Sequence, residues 1–167
     1  MIEDKMKDIK INIDGNKFKY RVNAIIIKEN KLLAIKMKNN KSYCLPGGHV
    51  ELGENSRDAT IREVKEELDI DAKIEKEIAF VENFYLDKFN LKTHELSLYY
   101  LVSPINLERV KIENYSRQEI DKGEKKTLNF EWIDLKELNS KDFKPSYIKS
   151  KLCLNNLDFE HLTINQL

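Results

Sequence analysis

The sequence has little of several residue types that would place it in a specialised class of protein. It has five glycines, three prolines, two cysteines and one tryptophan among 167 residues. So few glycines and prolines exclude collagen-like and low-complexity chains, and a hydrophobic content of 41% excludes a mainly disordered one. The two cysteines, Cys44 and Cys153, lie far apart and predict neither a disulfide framework nor a zinc site.

Net charge and long apolar runs are missing as well. Basic and acidic residues both number 29, and binding to a nucleic-acid backbone needs clustered cations, so nucleic acid is not the expected partner. A small charged ligand in one cleft stays compatible with this balance. No apolar run approaches the length that spans a membrane, and residues 1–10 lack the apolar core of a signal peptide. A length of 167 residues suits a single domain over residues 1–167, and the two distant cysteines suit a reducing cytoplasm.

Alternating apolar residues and turn dipeptides predict a layered α+β domain. A hairpin is expected around Asp14-Gly15, and a helix over Ser56–Leu68 with Asn55 as its N-cap. The other predicted strands are Val22–Lys28, Lys31–Met37, Ala72–Tyr85, His94–Val102 and Leu128–Ile133. The polar stretch Ile105–Lys126 is predicted to be a long loop, and helices are predicted at Leu135–Asn139 and Tyr147–Leu157.

Three glutamates of the predicted central helix share one face. Because the helix turns about 100° per residue, Glu63, Glu66 and Glu67 fall within roughly one third of its circumference. Carboxylates this close repel one another, and a hard divalent cation relieves that repulsion because it prefers oxygen ligands. Acidic triplets at this spacing are more often plain solvated surface, so the triplet alone does not establish a metal site.

Two neighbouring features strengthen the metal interpretation. The turn Gly47-Gly48 allows a backbone carbonyl to approach the same ion, because no side chain obstructs it. Arg62 precedes Glu66 by four positions, which allows its guanidinium to fix the orientation of a carboxylate.

The spacing of these residues resembles the Nudix box. The positions that match its signature are Gly48, Glu54, Arg62, Glu63, Val64, Glu66, Glu67 and Ile70. The one departure is Asp69, where the signature has a glycine. That glycine is expected to end the helix in a left-handed conformation, which Asp adopts with less strain than most residues.

The resemblance implies an α/β/α sandwich with a mixed β-sheet and hydrolysis of a diphosphate linkage in a nucleoside diphosphate derivative, assisted by Mg²⁺ or Mn²⁺. By the same resemblance, the metal ligands are the carbonyl of Gly47 and the side chains of Glu63, Glu66 and Glu67. Glu54 and Arg62 match positions that support those ligands. Glu63 is the first candidate for the proton acceptor in catalysis.

Outside the box, Glu95 is the leading alternative proton acceptor, although it is as easily a solvent-facing strand residue. Glu119 and Glu124 lie in the predicted loop, where a plain surface role is the more common outcome. Aromatic strand residues are usually part of the core, and a few of them instead stack on a nucleobase. The residues in question are Phe84, Tyr85 and Tyr99, and His94 is expected at the edge of the core.

Two other functions fit the same resemblance. A non-catalytic nucleotide-binding module would normally have lost some of the acidic residues, and all four glutamates of the box are present. RNA decapping would call for a basic groove, which a net charge of zero does not predict. The sequence determines neither the substrate nor the oligomeric state, and a homodimer is one open state because dimers are frequent in the family.

Overall fold

The computed structural model describes residues 7–37, 41–106, 110–121 and 124–167, without the side chains of residues 119–121 and 124. Ten strands and two α-helices form this part of the chain. The strands are β1 (Lys10–Ile13), β2 (Asn16–Ile25), β3 (Ile27–Lys28), β4 (Lys31–Lys36), β5 (Tyr43–Cys44), β6 (Ala72–Leu86), β7 (Lys92–Pro104), β8 (Tyr115–Asp121), β9 (Glu124–Asp134) and β10 (Glu160–Asn165). The helices are α1 (Ser56–Leu68) and α2 (Ser146–Cys153), and a 3₁₀ turn at Leu138–Ser140 precedes α2. None of the described helices is long and apolar enough to cross a membrane.

The first sheet has the strand order β1-β2-β7-β6-β10. It is mixed, because β2 pairs with β7 in parallel while β6 and β7 form an antiparallel pair. In this register Glu95 of β7 lies between Lys19 of β2 and Asn83 of β6, and Arg21 lies opposite Ser97. Paired residues and residues two positions apart share a face, so these polar side chains lie on one face of the sheet.

The second sheet has the order β3-β4-β9-β8, with β5 added to β4. All of its pairings are antiparallel. The mixed first sheet, the antiparallel second sheet and the helices form the expected α+β sandwich.

The segment before α1 runs beside β2. The amides of Ala24 and Val22 donate to the carbonyls of Pro46 and Gly48 at 2.9 and 3.0 Å, and the amide of Val50 donates to the carbonyl of Tyr20 at 3.0 Å. These bonds fix the glycine turn against the first sheet, directly ahead of α1.

The predicted bounds of α1 are confirmed. The side chain of Asn55 accepts hydrogen bonds from the amides of Arg57 and Asp58, both at 3.0 Å, and so caps the N-terminus. Asp69 ends the helix in the left-handed conformation, with φ 57° and ψ 34°. The apolar face of α1, including Val64 and Leu68, is buried in the core together with residues of both sheets.

Three predictions of secondary structure are wrong. Ile105–Lys126 is not a loop throughout, because it contains β8 and the start of β9. β8 is the edge of its sheet, and edge strands tolerate charged residues, which masks the apolar alternation of a strand. The two C-terminal helices are shorter than predicted, since Leu135–Asn139 yields one 3₁₀ turn and α2 ends at Cys153. The strand β10, which pairs in parallel with β6, was not predicted.

Candidate active site

The two glycines before α1 lie in close contact with neighbouring groups. The amide of Gly47 donates to the Glu67 carboxylate at 2.9 Å. Gly47 has φ +143°, and a side chain there would overlap the backbone of Val22. A side chain on Gly48 would overlap the carboxylate of Glu63. The turn therefore packs directly against two buried carboxylates of α1.

Arg62 connects the other acidic residues of this region. Its Nε and Nη2 donate to the two oxygens of Glu54, both at 2.9 Å, and Nη2 also donates to the carbonyl of His49 at 3.0 Å. Its Nη1 donates to Glu63 at 2.9 Å and to Glu66 at 3.3 Å. One guanidinium thus fixes three carboxylates and ties α1 to the segment before it.

The charges of this network are stabilised by their partners. Burial alone would raise the pKa of Glu54, but hydrogen bonds from Arg62 and from the amide of Glu51 outweigh it and lower the pKa. Burial alone would lower the pKa of Arg62, and the hydrogen bond to Glu54 and the charge of Glu63 raise it instead. Both groups are therefore charged at neutral pH.

The predicted metal ligands are only partly brought together. Glu63 and Glu67 are buried beside the glycine turn, whereas half of the Glu66 side chain is exposed and its carboxylate contacts Arg62. Within the described part of the chain, no three His, Cys, Asp or Glu side chains are arranged to hold a metal ion. The donors are nevertheless all oxygens, which a hard divalent cation prefers, so the residues fit such a cation in chemical type.

A cavity of about 860 Å³ lies beside this region and includes Gly47 and Glu67 in its lining. Among the residues that the structure describes, the cationic side chains of its lining are Arg21, Lys36, Lys125, Lys126 and Lys144, and the acidic ones are Glu67 and Glu95. In a chain of zero net charge, this clustering of cations favours an anionic ligand.

Glu95 lies on the floor of the cavity, on the polar face of the first sheet. Its exposed fraction is 8%, which makes the solvent-facing alternative wrong. The hydroxyl of Tyr85 donates to one carboxylate oxygen at 3.0 Å, and the hydroxyl of Ser97 donates to the other at 3.0 Å. Lys19 lies 3.7 Å from the carboxylate and donates to the Tyr85 hydroxyl at 2.9 Å.

The aromatic residues considered from the sequence differ in their position relative to the cavity. Tyr85 and Tyr99 line the cavity. Phe84 stacks on His94 with ring centroids 4.3 Å apart, away from the cavity lining. The side chains of Glu119 and Glu124 lie outside the described residues.

Several residues of the cavity were not singled out from the sequence. They are Arg21, Asn23, Lys36, Asn83, Lys125, Lys126, Lys144 and Tyr147. One signal was available for two of them, because Arg21 and Asn23 alternate with the buried Val22 and Ala24 in β2. Such alternation indicates a strand with one polar face, and here that face is the cavity floor.

The site places a helix that carries carboxylates beside a cation-lined cavity, and this arrangement suits a phosphate-bearing ligand. The sequence profile described as the NUDIX domain matches residues 17–151. The chain therefore belongs to the NUDIX family, as the spacing of its box residues predicted.

Two curated relatives share part of this sequence. An "ADP-ribose pyrophosphatase" of Methanocaldococcus jannaschii is 48% identical over 56 residues, which is 32% of this chain and 33% of the relative. A "Probable DHNTP pyrophosphohydrolase" of Lactococcus lactis subsp. cremoris is 42% identical over 64 residues, 38% of this chain and 37% of the relative. The chain thus matches about a third of the length of each relative.

Solved structures share the fold at low sequence identity. A MutT protein from Bacillus halodurans has a TM-score of 0.57 at 12% identity, covering 89% of this chain and 91% of that one. A NUDIX hydrolase from Nitrosomonas europaea has a TM-score of 0.55 at 18% identity, covering 83% and 86%.

Proposed function

We propose that the protein hydrolyses the diphosphate linkage of a nucleoside diphosphate derivative with the help of Mg²⁺ or Mn²⁺. The observation that supports this most directly is the contact between the Gly47-Gly48 turn and the buried carboxylates of Glu63 and Glu67 at the edge of a cation-lined cavity. Carboxylates suit a divalent metal, and the neighbouring cations suit the phosphates that such a metal contacts.

The proposed metal ligands are the carbonyl of Gly47 and the side chains of Glu63, Glu66 and Glu67. When bound, the metal supplies an acidified water and neutralises charge on the phosphates. The role of Arg62 is to keep the carboxylates oriented, through its hydrogen bonds to Glu54, Glu63 and Glu66.

The proposed proton acceptor is Glu63, because its carboxylate lies against the glycine turn at the edge of the cavity. Glu95 is the alternative, since its side chain is in the lining of the cavity itself. Its carboxylate accepts hydroxyl hydrogen bonds at both oxygens, which holds it in one orientation.

The names of the relatives support the reaction class more than the substrate. One is named for ADP-ribose and the other for DHNTP, and each match covers about a third of the relative. Both names describe cleavage of a diphosphate linkage, which is the part proposed for this chain.

The experiment is a panel of nucleoside diphosphate derivatives incubated with Mg²⁺ or Mn²⁺, with the products separated by chromatography. We expect turnover of at least one compound and its complete loss in excess chelator. Turnover that survives the chelator would overturn the metal mechanism. Binding of nucleotides without any turnover would indicate a non-catalytic binding module.

Glu66→Gln and Glu67→Gln should abolish most turnover, because each removes the charge of a proposed ligand. Their melting temperatures in chelator should equal that of the wild type or slightly exceed it, since carboxylate repulsion falls. Glu75→Gln, an exposed residue paired with Lys73, is the matched control and should keep full activity. A large fall in melting temperature together with normal turnover would show a purely structural role.

A further inference from the structure

Arg21 is a cation of the cavity floor, and among the described residues it forms no ion pair. Its buried Nε has no hydrogen-bond partner among those residues either. The side chain is half-buried and lines the cavity, so its guanidinium can donate to a ligand there.

Glu95 provides acceptors next to these donors. Each of its carboxylate oxygens already accepts one hydroxyl hydrogen bond, from Tyr85 and from Ser97. A carboxylate oxygen has a second lone pair, so both oxygens keep one acceptor position. The two hydroxyls hold this pair of acceptors in a fixed orientation at the cavity floor.

The register of the first sheet places the two groups side by side. Glu95 lies opposite Lys19, and Arg21 is two positions further along the same strand, opposite Ser97. Arg21 and Glu95 are therefore diagonal neighbours on one face of the sheet. Asn83 lies directly opposite Glu95 on the other side and also lines the cavity. Its buried Oδ1 has no hydrogen-bond partner in the described part of the chain.

We propose that Glu95 and Arg21 bind the edge of a guanine base, which makes the substrate a guanine nucleotide derivative. This rests on the proposed function, because it names the base of that same substrate. Guanine presents two adjacent N–H donors, at N1 and at the 2-amino group, beside the O6 acceptor. The carboxylate of Glu95 accepts from both donors, and the guanidinium of Arg21 donates to O6. The rings of Tyr85, Tyr99 and Tyr147 in the cavity lining suit a planar base.

Two other purines separate the contributions of the two residues. Hypoxanthine keeps N1–H and O6 but lacks the 2-amino group, so it loses one bond to Glu95. Adenine lacks both donors of that edge and has an amino group in place of O6, so it loses the bonds to both residues. The predicted order of affinity is GDP, then IDP, then ADP, with about a 10-fold step or more between GDP and ADP.

The test is calorimetric titration of GDP, IDP and ADP into the wild-type protein in excess EDTA. Omitting metal makes the measurement independent of turnover, so a failure of the proposed hydrolysis would not alter it. Glu95→Gln should lower the affinity for GDP to that for IDP, because an amide cannot accept both N–H groups. Arg21→Met should weaken GDP and IDP and change ADP least.

Glu82→Gln is the matched control, since it makes the same chemical change on β6 at a side chain bonded to His161 and Thr163 outside the cavity. It should leave all three affinities unchanged, and melting temperatures show that each variant is folded.

A proton acceptor would act on every substrate alike. Turnover of guanine and adenine compounds by Glu95→Gln in Mg²⁺ distinguishes the two roles. An equal reduction for both kinds of compound would assign Glu95 to catalysis.

Equal affinity of the wild type for the three nucleotides would overturn the proposal. The same conclusion would follow if Glu95→Gln weakened all three equally, because their common ribose would then be the group that it contacts. The proposal would also be overturned if none of the three nucleotides bound to the wild-type protein.

Discussion

The glycine turn with α1 and the floor of the cavity meet in one candidate site but are assembled from contacts of different range. In the turn and helix, Gly47 bonds a residue 20 positions away and Arg62 bonds one 8 positions away. On the floor, Lys19 bonds Tyr85 across 66 positions and Tyr99 bonds Tyr147 across 48. The first region depends on local geometry, and the second depends on correct pairing of whole strands.

The difference extends to chemistry. The turn and helix carry carboxylates that one arginine orients, which suits the metal-assisted step proposed above. The floor carries cations, hydroxyls and amides that lie on three strands, which suits contacts with a particular substrate. Substitutions in the first region should therefore change the reaction for every substrate, and substitutions in the second should change which substrate is preferred.

The largest effect is expected at the glycine turn. Gly47→Ala forces a side chain into a backbone conformation that L-residues rarely adopt, and it also overlaps the backbone of Val22. Together these should lower the free energy of unfolding by about 3 kcal/mol or more. Urea denaturation followed by circular dichroism measures this difference.

Gly15→Ala is the control for this prediction. Gly15 also has a positive φ, +74°, but a side chain there would meet nothing within 4 Å. It should cost only about 1 kcal/mol, which is the strain of the left-handed conformation alone. Equal losses at the two glycines would show that the close approach to β2 contributes nothing.

The next effect concerns the pair of Arg62 and Glu54. A double-mutant cycle with Arg62→Met and Glu54→Gln should give a coupling free energy of about 2 kcal/mol, because the pair is bidentate and largely shielded from water. The same cycle on Lys111 and Glu113, whose side chains are mostly exposed, should give less than about 0.5 kcal/mol. If both cycles gave the smaller value, the pair of Arg62 and Glu54 would not stabilise the turn and helix.

The local region is the part that the sequence could predict. The bounds of α1, the Asn55 cap and the left-handed Asp69 depend on neighbouring residues, and all three are confirmed. Spacing along one helix also placed Glu63 and Glu67 together. The same spacing indicated that Arg62 could hold the carboxylate of Glu66, and the two are in contact at 3.3 Å. It did not predict that half of the Glu66 side chain would be exposed, because exposure depends on the packing around the helix.

The floor could not be predicted in the same way, because its members come together only when β2, β7 and β6 align in register. Glu95 was considered from its own strand, yet its neighbour Arg21 comes from a strand more than 70 residues earlier. The edge strand β8 and the strand β10 were missed for a related reason. Their polar sequences become strands through pairing with a neighbour.

A pH-dependent effect is expected at the outer end of the floor face, where Lys17 of β2 pairs with Asp87 after β6. The hydrogen bond from Lys17, aided by the amides of Leu91 and Phe89, lowers the pKa of Asp87 from 3.8 to about 2. A carboxyl group whose pKa is lowered on folding stabilises the fold above its unfolded pKa, and this contribution disappears as the pH falls through the folded value. The contribution of Asp87 is therefore complete above about pH 5 and is lost between about pH 4 and 2.

Urea midpoints of the wild type and of Asp87→Asn, measured from pH 7 down to pH 2, test this assignment. The wild type should be the more stable protein near neutral pH, and the two curves should converge below pH 4. A constant separation across the whole range would show that the Lys17 contact, which joins β2 to β6 across the sheet, does not stabilise the charged form of Asp87.

The smallest effect is expected at Asp69, the one residue that departs from the box. Its left-handed conformation carries strain that Asp69→Gly would remove, roughly 1 kcal/mol, and the greater freedom of glycine in the unfolded chain offsets part of that gain. The substitution also loses two exposed ion pairs, with Lys65 at 3.7 Å and Arg117 at 3.9 Å, which are worth a few tenths of a kcal/mol at most.

Asp69→Gly should therefore match or slightly exceed the stability of the wild type and keep its turnover within about a few-fold. The β-branched Asp69→Val should be clearly less stable than the wild type. If Asp69→Gly instead lost turnover as Glu67→Gln is expected to, the exposed carboxylate at the helix end would belong to the reaction itself, and the catalytic part of the site would no longer be confined to the turn and the buried face of α1.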